Sequence, residues 1–433
     1  MSTAPDAGWT GRELTLDVGA VAHGGHCVAR HEGRVVFVRH ALPGERVQAV
    51  VTEDAGGGFC RADAVAVLAA SPDRVAPPCP QAGPGRCGGC DWQHASAPAQ
   101  RALKAAVIAE ALTRIGGLPA DRAHVTVEAL PVEGPDPRLG WRTRTVYARD
   151  RAGRVGFHRH RSAAIQPVGA CPIAVEAVGG AAAVARAASA ADRPGASGVE
   201  LVEPGAVLVH SPAPTPRRGR GRRPPDRVEL VTGPRLIAHD VLGRTFRVRP
   251  DGFWQVHPGA AGAFAAAALA MLDPRPGEVV LDLYAGAGLF TALLGERVGP
   301  HGAVLGLEQA RGAVADAQAN LADLPHAQVR AGAVDAVSVA ALAAEARDRA
   351  GRGVDLVLLD PPRSGAGAAV TEAVLDLRPR AVAYVACDPA ALARDLRTAL
   401  GRGWALGALR AFDAFPMTHH VECVALLLPP AGT

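Results

Sequence analysis

The sequence predicts a doubly wound α/β domain over residues 241–433, a small β-barrel over residues 1–70, and a central α+β domain over residues 71–240. Three observations carry this. From about Arg244, short apolar runs alternate with helical ones, the pattern of a sheet covered by helices on both faces. Up to about Ala70, apolar and polar residues alternate between Gly and Pro turns, as in a barrel of short strands. Between these lies CPQAGPGRCGGC, a loop with three thiols and no core for them to fill.

The bulk numbers fit this division. A chain of 433 residues has room for two or three domains and a large core. No apolar run is long enough to span a membrane, and MSTAPDAGWTGREL lacks the basic-then-apolar order of a secretory leader. The cytoplasm is the expected location. The formal net charge is +4, with arginine far in excess of lysine. That excess hints at a polyanionic partner and carries little weight alone. No obligate protein partner is evident. Eight cysteines in a cytosolic chain of this size do not suggest a disulfide framework.

In the first region, His23, His26, Arg30, His40 and Arg46 are expected on exposed faces. After the cysteine loop, Ala97 to Ile115 has helical spacing and stops at Gly116-Gly117. Arg142 and Arg144 in WRTRTVYAR, and His158 to Arg161 in GFHRHRS, lie on strand-like runs and are candidates for RNA contact. Solvated strand faces explain them nearly as well. SPAPTPRRGRGRRPPDR, residues 211–227, reads as a disordered surface insertion.

EVVLDLYAGAGLFTALLGERVG reads as strand, Gly-rich turn, helix. Gly286 and Gly288 allow a tight turn and close approach to a ligand. The third fingerprint position is Thr291 rather than Gly. Glu308 ends the next strand at the spacing of a carboxylate that binds ribose hydroxyls. No second mononucleotide half follows, so adenosine without a pyrophosphate fits better, and S-adenosylmethionine is the obvious ligand. In VDLVLLDPPRSG, Asp360 lies at a strand end, where ligands of open α/β sheets bind.

Cys387, in AYVACDPAALARDL, ends the following strand on the same rim. A thiol beside a methyl sulfonium suggests covalent chemistry, because carbon 5 of a pyrimidine is too weak a nucleophile unaided. A thiolate adding to carbon 6 activates carbon 5, and a base must then remove the carbon-5 proton. The helix that starts near Asp388 is expected to stabilise the thiolate. Glu422 in FPMTHHVECVALL, near His419 and His420, is the candidate base.

DLYAGAGLF, DPPRSG, YVACDPAALARDL and FPMTHHVE stand in the order found in class I RNA uracil-5-methyltransferases, which this half of the chain resembles. FWQVHPGAA resembles the motif before their Rossmann-like core, and VVFVRHALPGERV resembles their TRAM domain, an OB-like RNA-binding barrel. The resemblance covers nearly the whole chain outside 211–227. It implies Cys387 as nucleophile and Glu422 as base. It also implies Gln255, Tyr284, Glu308 and Asp360 as contacts for S-adenosylmethionine. Leu289 departs from the family, which often has a polar residue there. Asp388 departs too, and is expected to point away from the thiol as a helix cap. Members with the set Cys79, Cys87, Cys90 and Cys171 bind a [4Fe–4S] cluster. Four thiolates also suit zinc, and spacing alone does not separate the two. The resemblance favours RNA as partner, rRNA over tRNA. An amino-methyltransferase and an RNA-binding protein without activity are the rivals. The first needs no cysteine nucleophile, and the second would not need Cys387 and Glu422.

Overall fold

The computed structural model describes residues 8–213 and 226–430. Its first body is a five-stranded sheet: β1 (Glu13–Asp17), β2 (Cys27–His31), β3 (Arg34–Arg39), β4 (Arg46–Glu53) and β5 (Phe59–Ala69), in the order β1-β4-β5-β3-β2. Strict alternation buries Leu14, Leu16, Val36, Val38, Val47, Ala49 and Val51 on one face. Gly19 N–H donates to Val28 O at 2.7 Å and Val28 N–H to Ala20 O at 2.8 Å, so the chain after β1 closes onto β2. His26 and His40 are half-buried rather than exposed, and His23 is exposed. Burial costs a charged imidazole its hydration, which holds His26 down at about 4.

The cysteine loop follows, then α1 (Ala97–Arg114) and β6 (Val127–Ala129). Ser96 caps α1 by accepting from Ala99 N–H, and Pro98 sits in its first turn. Helix α1 packs on the catalytic domain rather than within a central body, and β6 joins the catalytic sheet. The sequence division at residue 71 therefore does not follow the packing here. Lys104 on the buried face of α1 pairs with Asp413 at 2.5 Å, a partner 309 residues away that no local pattern announces.

The central sheet holds β7 (Arg144–Arg149), β8 (Val155–His158), β9 (Ile165–Pro167), β10 (Gly198–Val202), β11 (Ala206–Ser211) and β12 (Arg227–Thr232). Helices α2 (Glu176–Gly179) and α3 (Ala181–Ala191) pack against it. The link from β11 to β12 carries the predicted insertion, and residues 214–225 lie outside the described residues. A hairpin of β13 (Ile237–Val241) and β14 (Arg244–Val248) leads into α4 (Ala260–Leu272).

The catalytic domain alternates as the sequence predicts: β15 (Val279–Leu283), α5 (Leu289–Val298), β16 (Ala303–Glu308), α6 (Arg311–Asn320), β17 (Ala327–Ala331), α7 (Ala336–Ala350), β18 (Leu356–Leu359), α8 (Ala368–Asp376), β19 (Ala381–Ala386) and α9 (Pro389–Gly401). β20 (Ala405–Asp413) and β21 (Glu422–Leu428) complete it. The order is β17-β16-β15-β18-β19-β21-β20-β6. The chain leaves β15 toward β16 and β17, then returns to β18 on the other side of β15. That reversal opens a crevice at the C-terminal strand ends. β21 runs antiparallel to β19, so its first residue lies on the same rim. Among the described residues, no helix is long and apolar enough to cross a membrane.

Candidate active site

Five adjacent strands carry the predicted site residues to one rim. Glu308 ends β16, Tyr284 follows β15, Asp360 follows β18, Cys387 follows β19 and Glu422 begins β21. Ala386 pairs with Cys423 across β19 and β21, which sets Cys387 opposite Glu422. Neighbouring strands lie about 4.8 Å apart.

The Gly-rich turn leaves open space beside Gly286. Gly286 has φ +54 and open space where a side chain would stand, while Tyr284 is held at φ +66. Glu308 Oε2 accepts from Gly286 N–H at 3.0 Å, and Oε1 accepts from Ala310 N–H at 2.7 Å. The carboxylate is thus locked to the turn whose spacing predicted it. Gly288 has φ +84, and a side chain there would press on Ala317 of α6 at 3.2 Å. Leu289 is buried in the core, which accounts for an apolar residue at that position. Thr291 donates its hydroxyl to buried Asp282, so a hydroxyl is used where the fingerprint has glycine. Asp282 escaped the sequence reading, although a carboxylate inside VVLDL is itself a signal. Its Oδ1 is buried without a hydrogen-bond partner among the described residues. Gln255 is half-buried between β14 and α4, the helix that packs on β19 and β21.

Carboxyl groups crowd this rim. Burial, then the nearness of Asp282 and Glu308, pushes Asp360 up to about 7. Burial likewise raises Asp282 to about 7. Glu422 is only 5 % exposed, and burial followed by Asp360 raises it well above the usual carboxylate range. Arg363 is the cation that works against this rise. Among the described residues, Asp282 Oδ1 lacks a partner, and a cationic ligand such as a sulfonium would favour the ionised form of the raised carboxyls around it. The thiol is the surprise. Burial, then Glu422 and Asp360, pushes Cys387 up to about 12, so the start of α9 does not by itself make a thiolate. The expectation of a stabilised thiolate is corrected: burial and the surrounding carboxyls outweigh the helix.

Asp388 points away from the thiol as expected. One oxygen caps α9 through Ala391 N–H at 2.8 Å, and the other lies 2.9 Å from His23 Nε2 of the barrel. The loop after Asp360 is pinned by Asp395, which accepts from Ala366 N–H at 2.8 Å, Gly367 N–H at 3.2 Å and Tyr384 O–H at 2.5 Å. Two predicted RNA contacts are spent internally. Arg144 donates to Gly252 O and Pro250 O and pairs with Glu200, and Arg142 Nε donates to Arg144 O. His158 and Arg159 are exposed, His160 is half-buried, and exposed Arg161 pairs with Glu53 of the barrel.

Cys79, Cys87, Cys90 and Cys171 line one cavity of ≈ 160 Å³ with Gln93 and Arg142. Burial raises the Cys171 thiol to about 11, and Cys87 and Cys79 add to the rise. Among the described residues, no three His, Cys, Asp or Glu side chains stand close enough to hold one ion. Four thiols around a shared space, with half-buried Arg142 beside them, have the donor chemistry for a metal group.

The family model described as tRNA (Uracil-5-)-methyltransferase matches residues 244–429, and that of the TRAM domain matches residues 10–65. An uncharacterized RNA methyltransferase of Streptomyces avermitilis is 46% identical, over 97% of this chain and 99% of its own length. The 23S rRNA (uracil(1939)-C(5))-methyltransferase of Thiobacillus denitrificans is 34% identical, over 95% of this chain and 98% of its own. The crystal structure of Pyrococcus abyssi tRNA (uracil-54, C5)-methyltransferase with S-adenosyl-L-homocysteine shares the fold. It aligns with a TM-score of 0.66 at 20% identity, over 95% of this chain and 99% of that one. Relatives of this identity span the barrel, the cysteine loop and the catalytic sheet alike, and the chain belongs to the RNA (uracil-5-)-methyltransferase family.

Proposed function

We propose that this chain transfers a methyl group from S-adenosylmethionine to carbon 5 of a uridine in RNA, with 23S rRNA as the substrate class. The observation that carries the reading is the β19–β21 register, which pairs Ala386 with Cys423 and so sets a thiol opposite a buried carboxyl at the cofactor rim. The rRNA choice is supported by the 34% identical relative named for 23S rRNA.

S-adenosylmethionine supplies an electrophilic methyl. Glu308 would take the ribose hydroxyls, with Gly286 and Gly288 allowing close approach of the backbone. Tyr284, Gln255 and Asp360 would hold the rest of the ligand. The target uridine must leave its stack to reach the rim. Cys387 Sγ, its proton lost to solvent, bonds carbon 6, and carbon 5 of the resulting enolate takes the methyl as the sulfonium S–CH3 bond breaks and its electron pair stays on sulfur, leaving S-adenosylhomocysteine. Glu422 then accepts the carbon-5 proton, the 5,6 double bond reforms, and Sγ leaves with its electron pair. Arg363 offsets the anionic charge near both residues. A cation at the rim favours the ionised form of Glu422 that this step needs.

Cys79, Cys87, Cys90 and Cys171 would hold a [4Fe–4S] cluster, which would crosslink the loop to the central sheet as a structural group. The expected setting is the cytoplasm. Nucleoside analysis of RNA treated with S-adenosylmethionine tests the reaction: 5-methyluridine should form with the native protein and not with Cys387→Ala. A methyl on a base nitrogen, formed equally by both, would favour the amino-methyltransferase reading.

A further inference from the structure

The link that ends in Glu422 is held from outside the catalytic sheet. β20 stops at Asp413 and β21 starts at Glu422, so residues 414–421 decide where that carboxyl stands. Met417 in this link has φ +69, a region non-glycine residues keep only when their surroundings fix them. Its backbone is gripped from both sides. Met417 N–H donates to Gln100 Oε1 at 2.7 Å. Met417 O accepts from Asp91 N–H at 2.9 Å and from Trp92 N–H at 3.0 Å.

Asp91 holds the next turn as well. Its Oδ2 accepts from His419 N–H at 3.2 Å and lies 2.6 Å from His419 Nδ1. Its Oδ1 accepts from Arg39 at the end of β3, at 3.3 Å. Gly25 of the barrel has φ +82, and a side chain there would press on His419 at 3.0 Å and on Asp91 at 3.2 Å. Trp92 Nε1 donates to Gly25 O at 3.0 Å. Barrel, cysteine loop and catalytic link therefore meet at Asp91. From His419 the contact runs on: its ring lies 4.1 Å from that of His420, whose Nε2 is 3.4 Å from the Arg363 guanidinium.

We propose that Asp91, the residue after Cys90, is a positioning residue that holds the 414–421 link so that Glu422 faces carbon 5 of the bound uracil. The four-thiol cavity is thereby joined mechanically to the methyl-transfer pocket. The inference rests on reading Glu422 as the base. It separates two steps. Methyl transfer needs Cys387 and the cofactor rim, whereas release needs Glu422 to take the carbon-5 proton as the Sγ–C6 bond breaks. A displaced Glu422 leaves RNA that is methylated and still bonded to Cys387.

The test compares full-length native protein with Asp91→Ala, Asp91→Asn and Gln100→Ala, the last gripping the same link from α1. Each is mixed with rRNA and methyl-labelled S-adenosylmethionine. Four quantities are read: tritium released from carbon 5, label in a denaturant-stable protein–RNA adduct, the Kd for S-adenosylmethionine, and the Tm. Asp91→Ala should turn over about 10- to 100-fold more slowly, the range expected for a misplacement of about 1 Å. Methylated adduct should accumulate while the Kd for S-adenosylmethionine stays within roughly threefold. Gln100→Ala should show the same adduct, and Asp91→Asn, which keeps an acceptor for His419 N–H, should recover part of the rate. Native turnover by Asp91→Ala overturns the inference. So does a slow variant that forms no adduct and loses cofactor binding, because that is a general loss of structure. Absence of tritium release from the native protein removes the base reading itself, and the inference with it.

Discussion

Replacing Asp360 with Asn tests the physical picture of the cofactor rim. Burial, then the nearness of Asp282 and Glu308, raises the Asp360 carboxyl from 3.8 to about 7. Below about pH 4 the group is protonated whether the chain is folded or not, and its contribution to stability is fully present. As pH rises from there through 7, the unfolded chain ionises and the folded one holds its proton, so stability is lost. Each pH unit in that window costs about 1.4 kcal/mol per group. Between pH 5 and 8 the loss is roughly 3 kcal/mol, and sharing of charge with Asp282 brings it to about 1.5–3 kcal/mol. Asp360→Asn cannot ionise, so its stability should fall less over the same interval. Thermal melts of both ligand-free proteins at pH 5 and 8 measure this. Taking about 2–4 °C per kcal/mol for a domain of this size, the native Tm should fall roughly 3–12 °C further than that of the variant. The variant should also bind S-adenosylmethionine at least about tenfold more weakly, through loss of a charge partner for the sulfonium. Parallel falls in Tm would refute the reasoning, because Asp360 would then be ionised at neutral pH in the free protein.

Three further outcomes follow from the same contacts. Lys104→Met leaves Asp413 buried without its partner and should cost about 3–5 kcal/mol, read as a lowered Tm. Cys387, held up to about 12 by burial, Glu422 and Asp360, should react slowly with iodoacetamide at pH 8 in the free protein. S-adenosylmethionine should speed that reaction at least about tenfold and S-adenosylhomocysteine, which lacks the sulfonium charge, should not. The proposed cluster predicts iron and acid-labile sulfide in the native protein and the loss of both together in Cys171→Ser; native protein without iron, or an unchanged iron content in the variant, would contradict that proposal.

Much of the site was legible because its residues end strands. Gly286, Glu308, Asp360 and Cys387 each follow an apolar run, and a parallel sheet carries such ends to one rim. Glu422 was found at the start of a strand. Only the antiparallel pairing of β21 with β19 brings it to the thiol, and no local period encodes that pairing. The rise in the thiol was missed because its burial, and then its neighbours Glu422 and Asp360, come from the packing of other strands. Arg142 and Arg144 looked like RNA contacts because alternation marks a face without naming what covers it. The carbonyls of Gly252 and Pro250 take Arg144, more than a hundred residues along the chain. Asp91 and Lys104 were invisible for the same reason: their partners His419 and Asp413 lie more than three hundred residues away.

The most direct measurement is tritium release from carbon 5 of uridine-labelled RNA, with ribosomal and transfer RNA tested separately, for the native protein and Cys387→Ala in the presence of S-adenosylmethionine. Release from ribosomal RNA by the native protein alone is the predicted result. Methyl transfer to RNA without tritium release, or release that survives Cys387→Ala, would contradict the claim that Cys387 and Glu422 carry the reaction.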